Sequence, residues 1–422
     1  MLDTTSPMSL EKQNELGRIF ADPAAYADPT AWYESARQLR EQAPIARVTL
    51  PEYQDFWAIT KYSDIREIER NSDIFTNAPA PTLATRTEYE TREQAQQAAV
   101  NTLIQMDGDV HKAHRNIVNE WFKPASIRRL NDRVYELAKE FVDRMEAMGG
   151  ECDFANDIAM HYPLQVILSI LGLPEQDHQK MLKLTQELFG AEDPDIGRAG
   201  EDETVLTVML DFVSYFTELA NDRRAHPTSD LATVIANAEI DGARLPDMDV
   251  MGYYLIIATA GHDTTSNSIA GGLQALIEHP DQLALLQSDP ELIDSAADEL
   301  IRYVSPVKHF IRTCREPYTL RDVTFQPGDT TLLSFASANR DEEIFPNAAA
   351  LEVRRENSAS HLAMGSGRHF CLGAHLARLE VRAIFRELLG RLDSIELAGT
   401  PTFVHSTLVS GPKTLPVRYR FR

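Results

Sequence analysis

Between about residues 125 and 300, apolar positions recur every three or four residues, which is the period of an amphipathic helix. Prolines interrupt this pattern at Pro163, Pro174, Pro227 and Pro280. Each interruption predicts the end of one helix or the start of the next, because proline lacks the N–H that a helix interior needs. The long middle part of the chain is therefore predicted to be a series of helices.

Strand patterns are confined to three stretches of the chain. Residues 45–60 predict a hairpin, because two short apolar runs flank a turn segment. Further strand patterns occur at about 318–333 and 400–422. The fold class is therefore predicted to be mainly α with a small β region. Since neither an internal repeat nor a long linker divides the chain, we expect a single domain over residues 1–422.

Residues 77–105 do not follow either pattern. They are polar, rich in alanine, threonine and glutamine, and only weakly periodic. Such a long surface segment in a compact protein is usually functional. We expect it to form part of a substrate pocket and to act as a mobile lid.

One predicted helix, from Asp247 to about Glu278, combines two unlike halves. Residues 250–258 are apolar on every side and should be buried. A run of small and polar residues follows in mid-helix, Ala260-Gly261-His262-Asp263-Thr264-Thr265. Glycine weakens a helix and a buried carboxylate is costly, so this run indicates either a functional site or a bent helix with a satisfied carboxylate.

Composition excludes several classes of function. The chain has 422 residues, with Lys+Arg 41 against Asp+Glu 64, so its net charge of −23 argues against binding nucleic acid or an anionic membrane. The first twenty residues contain no apolar segment of the kind found in signal peptides. Three cysteines without a Cys-x-x-Cys motif suggest neither a disulfide framework nor a zinc site. A cytoplasmic location is expected.

Cys371 is the strongest candidate for chemistry. Glycines lie six and four residues before it, at Gly365 and Gly367, and two residues after it, at Gly373, and a helical pattern follows at once. Glycines allow the backbone to pass close to a bulky group, and a helix N-terminus favours a thiolate. By itself, this pattern also fits a small buried cysteine beside a helix start.

Residues 364–373 resemble the haem loop of the cytochrome P450 superfamily, which reads Phe-Gly-x-Gly-x-His/Arg-x-Cys-x-Gly. Only Met364 differs, where the family usually has phenylalanine. The resemblance implies the cytochrome P450 fold, a roughly triangular helical domain that encloses haem b. It also implies that Cys371 is the thiolate ligand of the iron and that Gly365, His369 and Gly373 contact the haem.

Three further segments carry the same resemblance. Residues 260–264 resemble the family's Ala/Gly-Gly-x-Asp/Glu-Thr motif, which implies an O₂ groove at Ala260 and Gly261 and proton delivery by Asp263 and Thr264. Glu299 and Arg302 match Glu-x-x-Arg, a structural pair that the family completes with another arginine. Arg354 and Arg355 are both candidates here, and Arg355 is favoured. The propionate-binding positions of the family fall on His111, Arg115, Arg312 and His369.

The resemblance implies a haem-thiolate monooxygenase, closest to the bacterial enzymes that hydroxylate terpene alcohols. It would insert one atom of O₂ into a small apolar substrate, a terpenoid or an aromatic hydrocarbon. The chain has no flavin or nicotinamide fingerprint, so electrons are expected from NAD(P)H through a reductase and an iron–sulfur ferredoxin. The alternatives are a peroxide-driven peroxygenase and a haem-binding sensor.

Overall fold

The predicted fold class is confirmed by the computed structural model, which describes residues 8–87, 89–90, 101–189, 192–196 and 201–422. Helices make up 57% of it, and the sheets are small. The helices with described bounds are α1 (Leu10–Gly17), α2 (Pro29–Gln42), α3 (Tyr62–Arg70), α4 (Gly108–Phe122), α5 (Pro124–Ile127), α6 (Asn131–Ala147), α7 (His161–Leu171), α8 (His178–Phe189), α9 (Glu201–Ala225), α10 (Leu231–Ala236), α11 (Asp247–Ala260), α12 (Asp263–Glu278), α13 (Pro280–Ser288), α14 (Ile293–Val304), α15 (Phe335–Ala338) and α16 (Ala374–Arg391).

The described residues also form fourteen short strands. They are β1 (Ile45–Val48), β2 (Phe56–Ile59), β3 (Phe75–Thr76), β4 (Glu151–Asp153), β5 (Glu239–Ile240), β6 (Ala243–Arg244), β7 (His309–Cys314), β8 (Tyr318–Leu320), β9 (Val323–Phe325), β10 (Thr330–Ser334), β11 (Leu392–Leu397), β12 (Thr402–Phe403), β13 (Pro412–Thr414) and β14 (Pro416–Phe421). The largest sheet has the order β1-β2-β10-β7-β3, in which only β10 and β2 are parallel.

The hairpin predicted within residues 45–60 is confirmed, since β1 and β2 pair antiparallel with Ile45 opposite Ile59. The strand regions predicted at 318–333 and 400–422 also contain strands. The sequence pattern missed β4, which is three residues long and pairs with β14, so that Cys152 lies opposite Val417. A strand this short has no readable alternation, and it forms because a partner far away in sequence holds it.

The hydrophobic core has one large cluster among the helices and two smaller clusters around the main sheet. In the large cluster α6 and α7 pack with α11, α12, α14 and α16. Gly272 of α12 lies against Phe385 of α16, where an added Cβ would be 3.2 Å from the ring. The helix that begins with Asp263 and Thr264 therefore packs directly on the helix that follows the cysteine loop. A single domain over the whole chain stays a prediction.

The predicted continuous helix from Asp247 to Glu278 is wrong at its centre. The structure has two helices there, which are interrupted at Gly261 and His262, although both residues keep right-handed helical backbone angles. Side-chain hydrogen bonds compete with the backbone ladder at this point, because Thr264 Oγ1 donates to the Ala260 carbonyl over 2.8 Å. Pro246, rather than Asp247, is the residue that precedes the first helical turn.

The predicted surface segment at 77–105 is only partly described, since residue 88 and residues 91–100 lie outside the described residues. Its first part does not behave as a free surface loop. Ala80 is buried, and the Pro81 carbonyl accepts a hydrogen bond of 2.8 Å from the Ile311 N–H in β7. The Arg86 N–H likewise donates to the Glu52 carbonyl. A lid role stays a prediction for the remainder of the segment.

Among the described helices, none is both long enough and apolar enough to cross a lipid bilayer.

Candidate active site

The loop that carries Cys371 is shaped by its glycines. Gly365 and Gly367 both have φ near +66°, a conformation that side chains disfavour. A Cβ on Gly367 would be 2.5 Å from the carbonyl oxygen of Glu69, so the loop could not approach α3 with any other residue there. The Cys371 N–H closes the loop with a 2.9 Å bond to the Met364 carbonyl. Cys371 itself is exposed, and α16 begins three residues later.

Electrostatics around Cys371 differ from the expectation that the helix start alone would favour a thiolate. The protein packed around the sulfur raises the pKa of the Cys371 thiol, and the Gly373 N–H and the charges of Arg115 and Arg378 offset this only in part. The expectation is therefore wrong for the polypeptide alone. A coordinated metal cation is a much larger local charge and deprotonates a thiol ligand outright.

The four predicted propionate-binding residues surround the same loop. The rings of His111 and His369 lie 4.2 Å apart, centre to centre. Arg115 Nη2 donates to the Phe370 carbonyl over 2.7 Å, next to the cysteine. Arg312, which is buried, reaches the other end of the loop through Glu69. The structure thus brings together basic side chains that are up to 258 positions apart in sequence, as 369 and 111 are.

Glu69 was missed by the sequence analysis. Its Oε1 accepts from Arg312 Nη2 over 3.2 Å and its Oε2 accepts from Ser366 Oγ over 2.5 Å, so it joins α3, β7 and the cysteine loop. Burial raises the pKa of this carboxyl, although Arg312 and Ser366 act against the shift. A signal was present, because Glu69 shares the apolar face of α3 with Ile65 and Ile68.

Asp107 was also missed. Its carboxylate accepts hydrogen bonds of 2.9 Å from the backbone N–H groups of both Asn77 and Ala78, and it lies 3.6 Å from His369 Nε2. Burial acts to raise the pKa of Asp107, but His369 and the two N–H groups outweigh it and lower the pKa. Asp107 therefore stays charged and ties residues 77–78 to the histidine of the cysteine loop.

The basic cluster contains four basic side chains, and the structure pairs them with only two carboxylates, Glu69 and Asp107. Burial, and then the charges of His369 and Arg115, lower the pKa of His111 to about 4. Burial likewise lowers the pKa values of His369 and Arg312, despite the help of Asp107 and Glu69. Basic groups whose pKa is lowered in this way are short of counter-charge, which an anionic ligand would supply.

The predicted oxygen-side residues lie where α11 meets α12. Ala260 is exposed, although the residues from Val250 to Leu255 are all buried. Gly261 lies close to α7, because a Cβ there would lie 2.9 Å from Ile167 Cδ1. Gly261 therefore permits close packing against α7, and of the two groove residues only Ala260 is exposed.

The Asp263 and Thr264 side chains are held differently. The Thr264 hydroxyl is accessible and donates a hydrogen bond to the Ala260 carbonyl. Asp263 Oδ2 is buried and makes no conventional hydrogen bond within the described residues, but it lies 3.5 Å from Nδ1 of His262. Proton delivery by this pair stays a prediction.

His262, between the two helices, is held by partners on other elements. Its ring is fully buried, with Nε2 2.7 Å from the Met160 carbonyl and Nδ1 3.0 Å from Thr185 Oγ1. Burial acts to lower the pKa of His262, but the Asp263 carboxylate and the Met160 carbonyl outweigh it and raise the pKa. His262 therefore anchors the break between the helices and also supports the charge of Asp263.

Glu299 forms a buried network with two arginines. Arg302 Nε donates to Glu299 Oε2 over 2.7 Å, and Arg355 Nε lies 3.1 Å from both oxygens. Arg354 is exposed, so Arg355 is the second arginine. Both arginines also donate to the Ala350 carbonyl. The network joins α14 to the segment that leads to the cysteine loop, and it is structural rather than chemical.

These residues fit a haem. Cys371 offers an exposed sulfur on a loop whose glycines permit close approach, and the basic cluster around it lacks sufficient negative charge. His111, Arg115, Arg312 and His369 would bind the two propionates, and Cys371 would bind the iron.

Known proteins resemble this chain along nearly its whole length. The family described as Cytochrome P450 matches residues 203–415. Cytochrome P450-terp of Pseudomonas sp is 38% identical over 420 residues, which cover 96% of this chain and 97% of that protein. Steroid C26-monooxygenase of Rhodococcus jostii is 32% identical over 410 residues, which cover 96% and 85%.

Solved structures show the same likeness in three dimensions. The crystal structure of CYP108D1 from Novosphingobium aromaticivorans superimposes with a TM-score of 0.90 at 38% identity, covering 99% of this chain and 100% of that one. Mycobacterium marinum cytochrome P450 CYP268A2 in complex with pseudoionone gives a TM-score of 0.87 at 30% identity, covering 94% and 97%.

Proposed function

The chain belongs to the cytochrome P450 family and is therefore a monooxygenase that binds haem b. From this premise we propose that it hydroxylates a small terpenoid or aromatic hydrocarbon. We further propose that its electrons come from NAD(P)H through a reductase and an iron–sulfur ferredoxin. The observation that carries the proposal is Cys371, an exposed thiol on a glycine-shaped loop that four basic side chains surround.

The names of two relatives support this substrate class. One is cytochrome P450-terp, and the other was solved with pseudoionone, an apolar ketone. A steroid monooxygenase is also similar, but at 32% rather than 38% identity. The higher sequence identity to cytochrome P450-terp favours a small substrate over a steroid. All three cysteines are unpaired, which suits the reducing cytoplasm that we propose as the location.

When bound, the haem supplies the iron at which O₂ binds and is reduced. Cys371 would provide its thiolate ligand, and the four basic side chains would neutralise the propionates. Thr264 would turn its hydroxyl from the Ala260 carbonyl towards oxygen, which needs only a rotation about one side-chain bond. Asp263 would take up protons and pass them to that hydroxyl, while His262 stabilises the carboxylate between transfers.

The substrate class can be tested by titration of the holoenzyme. We expect α-terpineol and p-cymene to shift the Soret band towards the high-spin form at micromolar concentrations, and cholesterol and palmitate to do so weakly. Turnover with NADH, a ferredoxin and its reductase should yield one hydroxylated product. Preferential binding of cholesterol would contradict the proposed substrate, and turnover with hydrogen peroxide alone at an equal rate would contradict the proposed electron donors.

The role of Cys371 can be tested separately. Cys371→Ser should lose the strongly red-shifted Soret band of the ferrous–CO complex, because an alcohol cannot replace the thiolate. Cys152→Ser is the matched control, since Cys152 is half-buried in β4, and it should keep the band. A red-shifted band that persists in Cys371→Ser would show that another residue binds the iron.

A further inference from the structure

A cavity of about 650 Å³ lies outside the set of residues that form the candidate active site. It is bounded by α2, by the second half of α12 and by the β12–β13 hairpin, and its lining includes Tyr33, Gln274, Lys308, Arg340 and Phe403. Neither Cys371 nor any of the four basic residues around it contributes to the lining. Its size is typical of sites that bind small organic molecules.

Lys308 is the most unusual residue of this cavity. Only 8% of it is exposed, and its Nζ donates a 3.0 Å bond to the Val304 carbonyl. No carboxylate within the described ranges forms an ion pair with it. A buried ammonium group without a counter-ion is costly, and burial accordingly lowers the pKa of Lys308.

Arg340 brings a second uncompensated cation to the same place. Its guanidinium nitrogens donate to the carbonyls of Ala348, Ala349 and Tyr303, and to no carboxylate in the described part of the chain. Its Nε is buried and unpaired among the described residues. The guanidinium carbon lies 4.8 Å from the centre of the Tyr33 ring.

Tyr33 lies between the two cations. Lys308 Nζ is 5.8 Å from the centre of its ring, and its buried Oη has no hydrogen-bond partner among the described atoms. Burial acts to raise the pKa of Tyr33, but Lys308 and Arg340 outweigh it and lower the pKa. The potential at this phenol is therefore strongly positive, although the chain as a whole carries a net charge of −23.

Among the described residues, the acidic residues of the lining form no ion pair with these cations, and two of them are paired with other arginines. Glu34 is paired with Arg37, and Glu342 with Arg40. Glu278 accepts from Gln274 Nε2 over 2.8 Å. These carboxylates disfavour a ligand of high negative charge, which leaves room for one anionic group beside Lys308.

We propose that this cavity binds a small organic carboxylate. The carboxylate would accept hydrogen bonds from Lys308, Arg340 and the Tyr33 hydroxyl. Its apolar body would lie against Phe403 and Pro412, which also line the cavity. This site is independent of the haem site and of the substrate proposed for it.

A charge comparison on the wild-type holoenzyme tests the proposal without any mutation. Benzoate and benzamide have nearly the same shape but differ in charge. With the iron saturated by 4-phenylimidazole to occupy the active site, calorimetry should show benzoate binding at one site, roughly tenfold or more tighter than benzamide. Equal affinities, or no binding of benzoate at millimolar concentration, would overturn the proposal.

Two variants test whether the anion binds in this cavity. Lys308→Met keeps the apolar stem and removes the charge, so benzoate affinity should fall to the benzamide level. Tyr33→Phe keeps the ring and should weaken benzoate several-fold. Lys139→Met changes an exposed lysine elsewhere and should bind benzoate as the wild type does. If Lys308→Met does not fold, Tyr33→Phe decides, and unchanged benzoate binding in the variant that folds overturns the proposal.

Discussion

Thr264 makes a hydrogen bond within the fold and also has the proposed chemical role. Its hydroxyl donates to the Ala260 carbonyl, and this bond accompanies the break between α11 and α12. Thr259 makes the same kind of bond, to the Leu255 carbonyl over 2.8 Å, but it is buried within α11. A comparison of variants at the two threonines therefore distinguishes the structural effect of such a hydrogen bond from the effect of an accessible hydroxyl.

We predict that Thr264→Ala uncouples NADH oxidation from product formation. Without the hydroxyl, reduced oxygen loses its proton donor and leaves as hydrogen peroxide, so product formed per NADH should fall roughly tenfold. NADH consumption, product and peroxide would be measured together. Thr259→Ala should retain normal coupling, and full coupling in Thr264→Ala would refute the role given to that hydroxyl.

Glu380 provides a prediction about stability and pH. It is buried in α16, its Oε2 has no partner among the described atoms, and burial raises its pKa well above the usual value of 4.5. The unfolded chain releases this proton near that usual value, whereas the folded protein keeps it. The contribution of Glu380 is therefore most favourable below pH 4.5 and is lost as the pH rises towards the raised pKa.

We therefore expect Glu380→Gln, which is neutral at every pH, to gain stability relative to the wild type as the pH increases. The difference should grow between pH 5 and 8 by up to about 1.4 kcal/mol per pH unit. Urea denaturation of both proteins across this range measures it. Parallel pH profiles would show that the Glu380 carboxyl ionises normally in the folded protein.

At the scale of elements, the cysteine loop is positioned by its contact with α3. Glu69 accepts from Ser366 and from Arg312, and its backbone carbonyl faces Gly367. The loop thus depends on a helix about 300 positions earlier in the sequence. The glycine spacing is a local sequence feature, but the glycine at position 367 is needed for a tertiary contact with Glu69.

We predict that Gly367→Ala destabilises the protein and weakens haem retention. The positive φ alone costs about 1–2 kcal/mol for alanine, and the Cβ would also clash with the Glu69 carbonyl. Gly390→Ala is the control, because its Cβ meets nothing within 4 Å in α16, and it should be neutral or stabilising. Thermal denaturation and the rate of haem transfer to apomyoglobin give the two readouts. Equal stability of the two variants would contradict this account.

At the scale of the whole molecule, the Glu299 network connects segments that share no local pattern. Arg302 donates to the carbonyls of Asn339 and Ala348, and Arg355 donates to those of Pro346 and Asn347. Helix α14 and the 339–350 segment are thereby held together before the chain enters the cysteine loop. Since all three charged groups are buried, loss of one leaves the others unbalanced.

We predict that Arg355→Ala lowers the free energy of unfolding by about 3 kcal/mol, because Glu299 loses a buried partner and two carbonyls lose their donor. Arg354→Ala removes the same side chain one position earlier, where it is exposed, and should change stability by less than about 0.5 kcal/mol. Chemical denaturation of both variants measures the contrast. Similar losses in the two would mean that the buried network does not stabilise the fold.

Much of this protein was determined by local sequence pattern alone. Apolar periodicity predicted the helices and the 45–60 hairpin, because burial of one face requires a fixed side-chain spacing. The resemblance around Cys371, Asp263 and Glu299 predicted the haem monooxygenase class, since short motifs record the chemistry directly.

The tertiary structure decided what depends on partners distant in sequence. It assigned Arg355 rather than Arg354 to Glu299, and it divided the predicted helix near Gly261. It also revealed Glu69 and Asp107, whose carboxylates hold Arg312 and His369. The reason is physical: periodicity and backbone conformation are properties of neighbouring residues, whereas burial, counter-charge and close contact arise only after remote segments have packed together.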